Sequence, residues 1–341
     1  MSSTVLISII NWNSFGDTHK CLNSLMNLTY PYYRIRVIDN GSQSVDDITR
    51  LSILHPTVSF TRNDRNLGFT GAHNQAIQCA LHDHYDYVWL LNNDCIVFPD
   101  TLDRLVAMID FNPRIGIVSP LILLSKADNP IQFCGSWFDW GQLRSIRATD
   151  PAIVREREQS HPQDMWLAGT AILVRCNLLK TIGGLDNRYF AYFEDNDLCI
   201  RASRRGFLNR MAFDVPVIHN SFSDTHSRLP YYFYLHARNE FLFWTEHTPK
   251  PFRHRIRQRL LGRILGEARW LHDHGKYEHA RACIVGLVDA LQGRYGCIKE
   301  SFTKNALAGI LAKSIPYKLS FALEGRSSGS KAKLPYPPTD E

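Results

Sequence analysis

The sequence of 341 residues has no apolar run approaching the ~20 residues that a helix needs to cross a bilayer. Met1-Ser2-Ser3-Thr4 passes straight into a strand-like stretch, so no signal peptide is expected. Eight cysteines, Cys21, Cys79, Cys95, Cys134, Cys176, Cys199, Cys283 and Cys297, are scattered and never form a CxxC pair. That argues against a zinc site and for reduced thiols in a cytosol. There is no internal repeat, and no nucleic-acid-binding motif accompanies the basic residues, so no nucleic-acid partner is expected. A Gly-rich, Lys-bearing phosphate loop is also missing: after the first strand the chain reads Asn11-Trp-Asn-Ser-Phe-Gly16.

What is present is the composition of a folded protein, 44% hydrophobic and 21% charged, long enough for one large domain or two modest ones. The net charge of +6 is uneven. Residues 250–270 hold Lys250, Arg253, Arg255, Arg257, Arg259, Arg263 and Arg269 against one acid, Glu267. With Leu260, Leu261, Ile264 and Leu265 between them, this is a basic amphipathic helix. It suits either a solvated face or a peripheral contact with anionic lipid.

Strand-like runs at 4–10, 33–38, 57–61 and 87–91 alternate with helical stretches, which implies a parallel sheet with helices on both faces. Each run ends in a polar cluster: Asn11-Trp-Asn13, Asp39-Asn-Gly-Ser42, Asn66 to Asn74, and Asn92-Asn93-Asp94. Ligands of open α/β sheets sit beyond the carboxyl ends of the strands, so the repeated pattern points to one crevice. Residues 125–165 show few periodic apolar positions and read as hairpins and a loop. From Leu229 to Leu323 the chain reads as about four helical segments, and Gly325 to Glu341 as a disordered tail. The expected division is 1–225, 226–323 and 324–341.

Three clusters carry chemistry. Asp94 ends a buried strand with two amides, an oxygen set suited to a hard cation carrying a diphosphate; the bland alternative is a cap on the following helix. Glu194, Asp195 and Asp197 fall in the first turn of a helix, where they serve either as caps or as a general base. His219 ends another strand, and matters only if the fold brings it to Asp94.

The ordered set VIDNGS (37–42), NLGFTGAHN (66–74), LLNNDCIV (90–97), GTAILVR (169–175), FEDNDLCIRASRRGF (193–207) and HARNEF (236–241) resembles the family-two glycosyltransferases of the GT-A fold, close to their bacterial rhamnosyltransferase-like branch. The resemblance runs over about residues 4–245. It implies a Rossmann-like, mostly parallel sheet with a C-terminal helical extension. It implies a nucleotide-sugar donor, a Mg²⁺ or Mn²⁺ ion, and inverting transfer to a glycan or lipid-linked acceptor in bacterial surface polysaccharide synthesis. The site would lie in the cytoplasm, peripheral to the inner membrane face.

Position by position, the resemblance makes Asp195 the base, with Glu194 as fallback. It makes Asp94 and His219 the metal ligands. Asn11, Asn13, Asp39, Asn66, Gly68, Asn74, Asn92 and Asn93 would bind the nucleotide-sugar, with Asp39 on the pyrimidine. Trp166, Gly169 and Thr170 would face the acceptor. Asn92 stands where the family's motif has its first acid. Rhamnose from dTDP-rhamnose is the expected donor, with UDP-glucose, UDP-galactose or a UDP-N-acetylhexosamine as alternatives. A nucleotidyltransferase and a non-catalytic sugar-binding protein are the rival readings; the missing phosphate loop speaks against the first, and the presence of Asp94, Asp195 and His219 against the second.

Overall fold

In the computed structural model, residues 2–142, 144–220, 228–298, 304–315, 319–320 and 322–323 are described. The tail from 325 lies outside them. The chain begins as alternating strands and helices: β1 (Val5–Asn11), α1 (Phe15–Leu25), β2 (Tyr33–Asp39), α2 (Val45–Leu54), β3 (Ser59–Arg62), α3 (Gly68–His82) and β4 (Tyr87–Asn92). It continues through β5 (Cys95–Ile96), α4 (Thr101–Phe111), β6 (Ile115–Leu124), β7 (Ile131–Phe133), β8 (Ser136–Asp139) and β9 (Arg144–Arg147). Then come α5 (Pro151–Ser160), β10 (Met165–Trp166), β11 (Ala171–Arg175), α6 (Cys176–Ile182), α7 (Glu194–Arg204) and β12 (Leu208–His219). The last elements are α8 (Pro230–His247), α9 (Arg253–Asp273), α10 (Tyr277–Leu291) and α11 (Ala306–Ser314).

The main sheet has the order β3-β2-β1-β4-β11-β6-β12-β5, with β7 on β6. Its first half, β3 to β4, is parallel as expected. The second half is mixed, because β11 runs antiparallel to both β4 and β6. β4 lies in the middle of this sheet, and Tyr87 to Leu91 are all buried. Covered on both faces, such a strand reads as a continuous apolar run rather than an alternating one. Burying each large aliphatic side chain contributes about 1.5–3 kcal/mol.

β6 runs for ten residues, Ile115–Leu124, straight through Pro120. Helix α5 forms inside the stretch read as irregular. Asp150 caps it, accepting a hydrogen bond from Ala152 N–H, and Pro151 opens it. Its sequence, PAIVREREQS, buries only Val154 and Glu158, so it carries almost no apolar period to read.

The chain divides into two compact units. One comprises 1–138, 145–187 and 194–223; the other 139–144, 188–193 and 224–341. The first holds the main sheet. In the second, α10 packs on α8, α9 and α11. Gly286 of α10 lies so close to α8 that an added Cβ would come within 2.2 Å of the Tyr234 carbonyl oxygen.

Residues 188–193 are pinned within this second unit. The Asn239 amide donates to the carbonyls of Tyr189, Ala191 and Tyr192 at 2.7–2.9 Å. The buried Arg238 guanidinium donates to Tyr189 O as well. The segment holds three aromatic residues at positive φ: Phe190 (66°), Tyr192 (69°) and Phe193 (71°). Such conformations cost of order 1–3 kcal/mol each and persist only where surrounding bonds fix them.

Candidate active site

The parallel half of the sheet brings its strand ends together. β1 and β2 are in register at Asn11 and Asp39. Asp39 is fully buried and pairs with Arg62 at the end of β3. It also accepts from Asn11 Nδ2 at 2.8 Å and from the Ser42 hydroxyl. Asn13, at φ 53°, donates its N–H to Ser42 Oγ, and its side-chain oxygen accepts from Gln43 N–H. The turn between them needs Gly41: its φ is +75°, and an added Cβ would lie 2.5 Å from the Arg65 carbonyl carbon.

Asn66 caps the turn into α3, accepting from Gly68 N–H at 2.7 Å and from Asn40 Nδ2. Asn74, expected with the nucleotide ligands, commits both ends of its amide elsewhere in the chain. It donates to Leu185 O and Asn187 Oδ1 and accepts from Leu185 N–H, tying α3 to the Gly183–Asp186 turn.

The end of β4 meets β12. Cys95 and His219 are register partners across β5 and β12, and Asn220 N–H donates to Asp94 O. His219 Nε2 lies 3.1 Å from Asp94 Oδ1. Its other nitrogen, Nδ1, is 2.7 Å from Gln132 Oε1. A carbonyl oxygen only accepts, so Nδ1 carries the proton. Nε2 thus faces the Asp94 carboxylate, with the Asn92 amide 3.4 Å away. A carboxylate oxygen and an imidazole nitrogen this close are a donor set that a cation could bridge. Orientation of the far nitrogen by Gln132 is the usual second partner of a metal-binding imidazole.

Among the described residues, Asp94, Cys95 and His219 are the group whose ligand atoms converge, within 4.8 Å. The Cys95 thiol is a poor third ligand for a hard ion; burial keeps it protonated, and it points to Thr170 O at 3.9 Å. Asp94 does not cap the next helix, whose N-cap is Asp100. Asn93 donates to Thr18 Oγ1, which in turn donates to Asn11 Oδ1.

The acid pair opens α7. Asp195 Oδ2 accepts from Gly169 N–H at 2.9 Å, and Oδ1 from Asn196 N–H at 2.8 Å. Burial raises the Asp195 carboxyl above the ordinary range, against the pull of these N–H groups and of Arg147. Burial and the neighbouring Asp195 charge push Glu194 much further up, and its Oε2 is buried without a hydrogen bond. Of the two, Asp195 is the one that the structure equips to carry charge.

One residue beyond Gly169, Thr170 O accepts from Asn92 N–H at 2.9 Å. The acid pair and the Asp94–His219 pair are thus joined through two consecutive residues in the turn just ahead of β11. Phe69 reaches the same place, its ring tip 3.4 Å from a Cβ built on Gly169. Trp166 stacks on Phe138 and donates from Nε1 to Ser145 Oγ at 2.8 Å.

Arg62, Thr18 and Gln132 were not singled out from the sequence. Gln132 lies in the stretch without apolar period, and no spacing marks it. Arg62, directly after the third strand, could have been sought as the cation for a buried Asp39.

Residues 6–147 match the family described as Glycosyl transferase family 2. An N-acetylglucosaminyl-diphospho-decaprenol L-rhamnosyltransferase of Mycobacterium tuberculosis is 25% identical over 283 residues, 77% of this chain and 91% of that protein. The low-salt glycan biosynthesis hexosyltransferase Agl10 of Haloferax volcanii is 25% identical over 301 residues, 87% of this chain and 94% of that one. Among solved structures, the mannosyltransferase PcManGT of Pyrobaculum calidifontis, in complex with GDP-Man and Mn²⁺, superposes with a TM-score of 0.52 at 15% identity, covering 96% of this chain and 85% of that one. The chain has the GT-A fold, is a glycosyltransferase, and resembles the family-2 members, the rhamnosyltransferases among them.

Proposed function

We propose that the protein is an inverting glycosyltransferase that moves rhamnose from dTDP-rhamnose to a glycan or lipid-linked acceptor in bacterial surface polysaccharide synthesis, working at the inner face of the cell membrane. The observation that carries the catalytic part is the bonded path from Asp195 through Gly169 and Thr170 to Asn92, His219 and Asp94. Such a path keeps an acid and a carboxylate–imidazole pair within a few residues of one another, which supports this reading.

In this reading Asp195 is the base. Its carboxylate takes the proton of the acceptor hydroxyl as that oxygen bonds to the anomeric carbon, while the bond from that carbon to the diphosphate breaks. Attack from the face opposite the leaving group inverts the centre. A raised affinity for protons helps, because a base works best when its pKa approaches the working pH. Gly169 N–H holds the carboxylate in place. Glu194, kept neutral beside it, adds no competing charge.

Asp94 and His219 would hold a Mg²⁺ or Mn²⁺ ion, with Gln132 orienting the imidazole. When bound, the ion supplies positive charge against the departing diphosphate. Asn11, Asn13, Asp39, Asn66 and Gly68 would form the nucleotide side, and Asn92 and Asn93 the diphosphate side. Trp166, Gly169 and Thr170 would face the acceptor.

The rhamnosyl donor rests on the name of the Mycobacterium tuberculosis relative. The Haloferax volcanii hexosyltransferase favours a second reading, a hexose donor, for which UDP-glucose and UDP-galactose are the sugars to try. Screening nucleotide-sugars for hydrolysis and thermal shift decides between them. Selective response to dTDP-rhamnose supports the first reading, and response to a UDP-sugar instead replaces it.

A further inference from the structure

Helix α11 buries its small side and exposes its large one. Ala308 and Ala312 are buried. Gly309 lies against Arg281, whose Nε would be 2.9 Å from an added Cβ. With this face the helix packs on α9 and α10. Leu307, Ile310 and Leu311 are left 65%, 62% and 44% exposed. Their spacing of three and four residues makes them one stripe.

The helix is capped at its start and tied to α9 at its end. Asn305 accepts from Ala308 N–H at 3.0 Å, and Arg269 of α9 donates to Lys313 O. An ordinary surface helix turns its large apolar residues inward. A fixed helix that does the reverse presents a surface for something apolar.

The charge around the stripe says what that is. Lys304 and Lys313 stand exposed at its two ends. The sequence from 301 to 323 holds Lys304, Lys313 and Lys318 and no acid. Apolar residues flanked by cations of one sign match an anionic lipid surface, which takes up the side chains below its headgroups and the lysines at phosphate level.

The arginines of α9, which the sequence offered for this contact, are engaged within their own unit. Arg263 pairs with Glu240, Arg269 with Asp273, and Arg253 donates to the carbonyls of Thr248 and Glu246. We infer that α11, through Leu307, Ile310, Leu311, Lys304 and Lys313, docks the protein on an anionic membrane surface. This extends the proposed lipid-linked acceptor to the place where such an acceptor lies, but vesicle binding does not depend on the sugar chemistry and is measured apart from it.

The full-length protein should float with phosphatidylcholine vesicles that contain phosphatidylglycerol and not with phosphatidylcholine alone. Raising the salt should weaken the binding. Replacing Lys304 and Lys313 by Gln should lower partitioning about fivefold per lysine. Leu307→Gln with Ile310→Gln should lower it about tenfold or more. Both double variants should keep the wild-type melting temperature and donor hydrolysis. If the wild type does not float with anionic vesicles, or if both variants float as well as it does, the inference is overturned. It is equally overturned if the wild type is a dimer without vesicle affinity that the Leu307/Ile310 variant converts to monomer, since the stripe then belongs to a second copy of the chain.

Discussion

Gly169 donates its backbone N–H to Asp195 Oδ2 at 2.9 Å, so the carboxylate at the start of α7 is held by the peptide that leads into β11. Asp195→Asn keeps the shape of this contact and removes the basicity. Transfer should fall by about 10²–10⁴-fold while nucleotide affinity, read by titration calorimetry, stays within about twofold. Near-normal turnover in this variant would remove the base from Asp195.

Glu194→Gln tests the other half of the pair. Glu194 is pushed far above the ordinary carboxylate range, so the folded chain holds its proton where the unfolded chain has released it. A raised carboxyl makes stability fall as pH rises from the ordinary Glu value, about 4.3, toward the folded value. The Gln variant should therefore gain melting temperature over wild type progressively across that window and keep most of its activity. Loss of activity as severe as in Asp195→Asn would make Glu194 the base instead.

The acid limb of the wild-type rate profile should lie above the usual Asp range, because burial raises Asp195. Activity needs the ionised form, so kcat/KM should rise with pH through the shifted value. A limb near pH 4 with no displacement would contradict a buried base.

Donor binding should depend on the Asp94–His219 pair. Asp94→Ala should abolish the gain in nucleotide-sugar affinity that Mn²⁺ gives the wild type, as calorimetry with and without the ion would read. Gln132→Ala leaves both ligands but frees the imidazole to turn, and should weaken apparent Mn²⁺ affinity about 10–100-fold. Unchanged ion dependence in both variants would move the cation site elsewhere.

Arg62→Ala should act on folding. Asp39 is fully buried, and its compensating charge comes from Arg62, itself 30% exposed. Stranding the carboxylate should cost about 3 kcal/mol, the low end for a broken buried pair because of that exposure. Urea denaturation measures it, and a change below about 0.5 kcal/mol, the scale of ordinary surface substitutions, would mean that water already serves Asp39.

How far the sequence could be read depended on period and on position in the sheet. β1 and β4 declare themselves because strands buried on both faces read as near-continuous apolar runs, whereas β2 alternates, with Arg34 and Arg36 between Tyr33, Ile35 and Val37. The polar residues at their tips stand out against that run, and Asp94 was legible for this reason. β11 gave no sign of running antiparallel: Ala171-Ile-Leu-Val-Arg175 reads the same in either direction, and pairing is decided by the fold. Helix α5 was hidden because its exposed face outweighs its buried one. The capping of Asp39 by Arg62 and of His219 by Gln132 joins residues 23 and 87 apart in sequence, and no local pattern records such partners.

The two working ends of the site are indexed by neighbouring peptides, since Gly169 bonds Asp195 and Thr170 bonds Asn92. Ala171 then pairs with Leu91 in the ladder. A strand's faces alternate at every residue, so shifting this one by a single position would exchange what points up for what points down. Lengthening or trimming the surface connections should therefore be tolerated over evolutionary time, whereas one residue inserted between Trp166 and Ala171 would separate the proposed base from the proposed cation pair without touching either carboxylate.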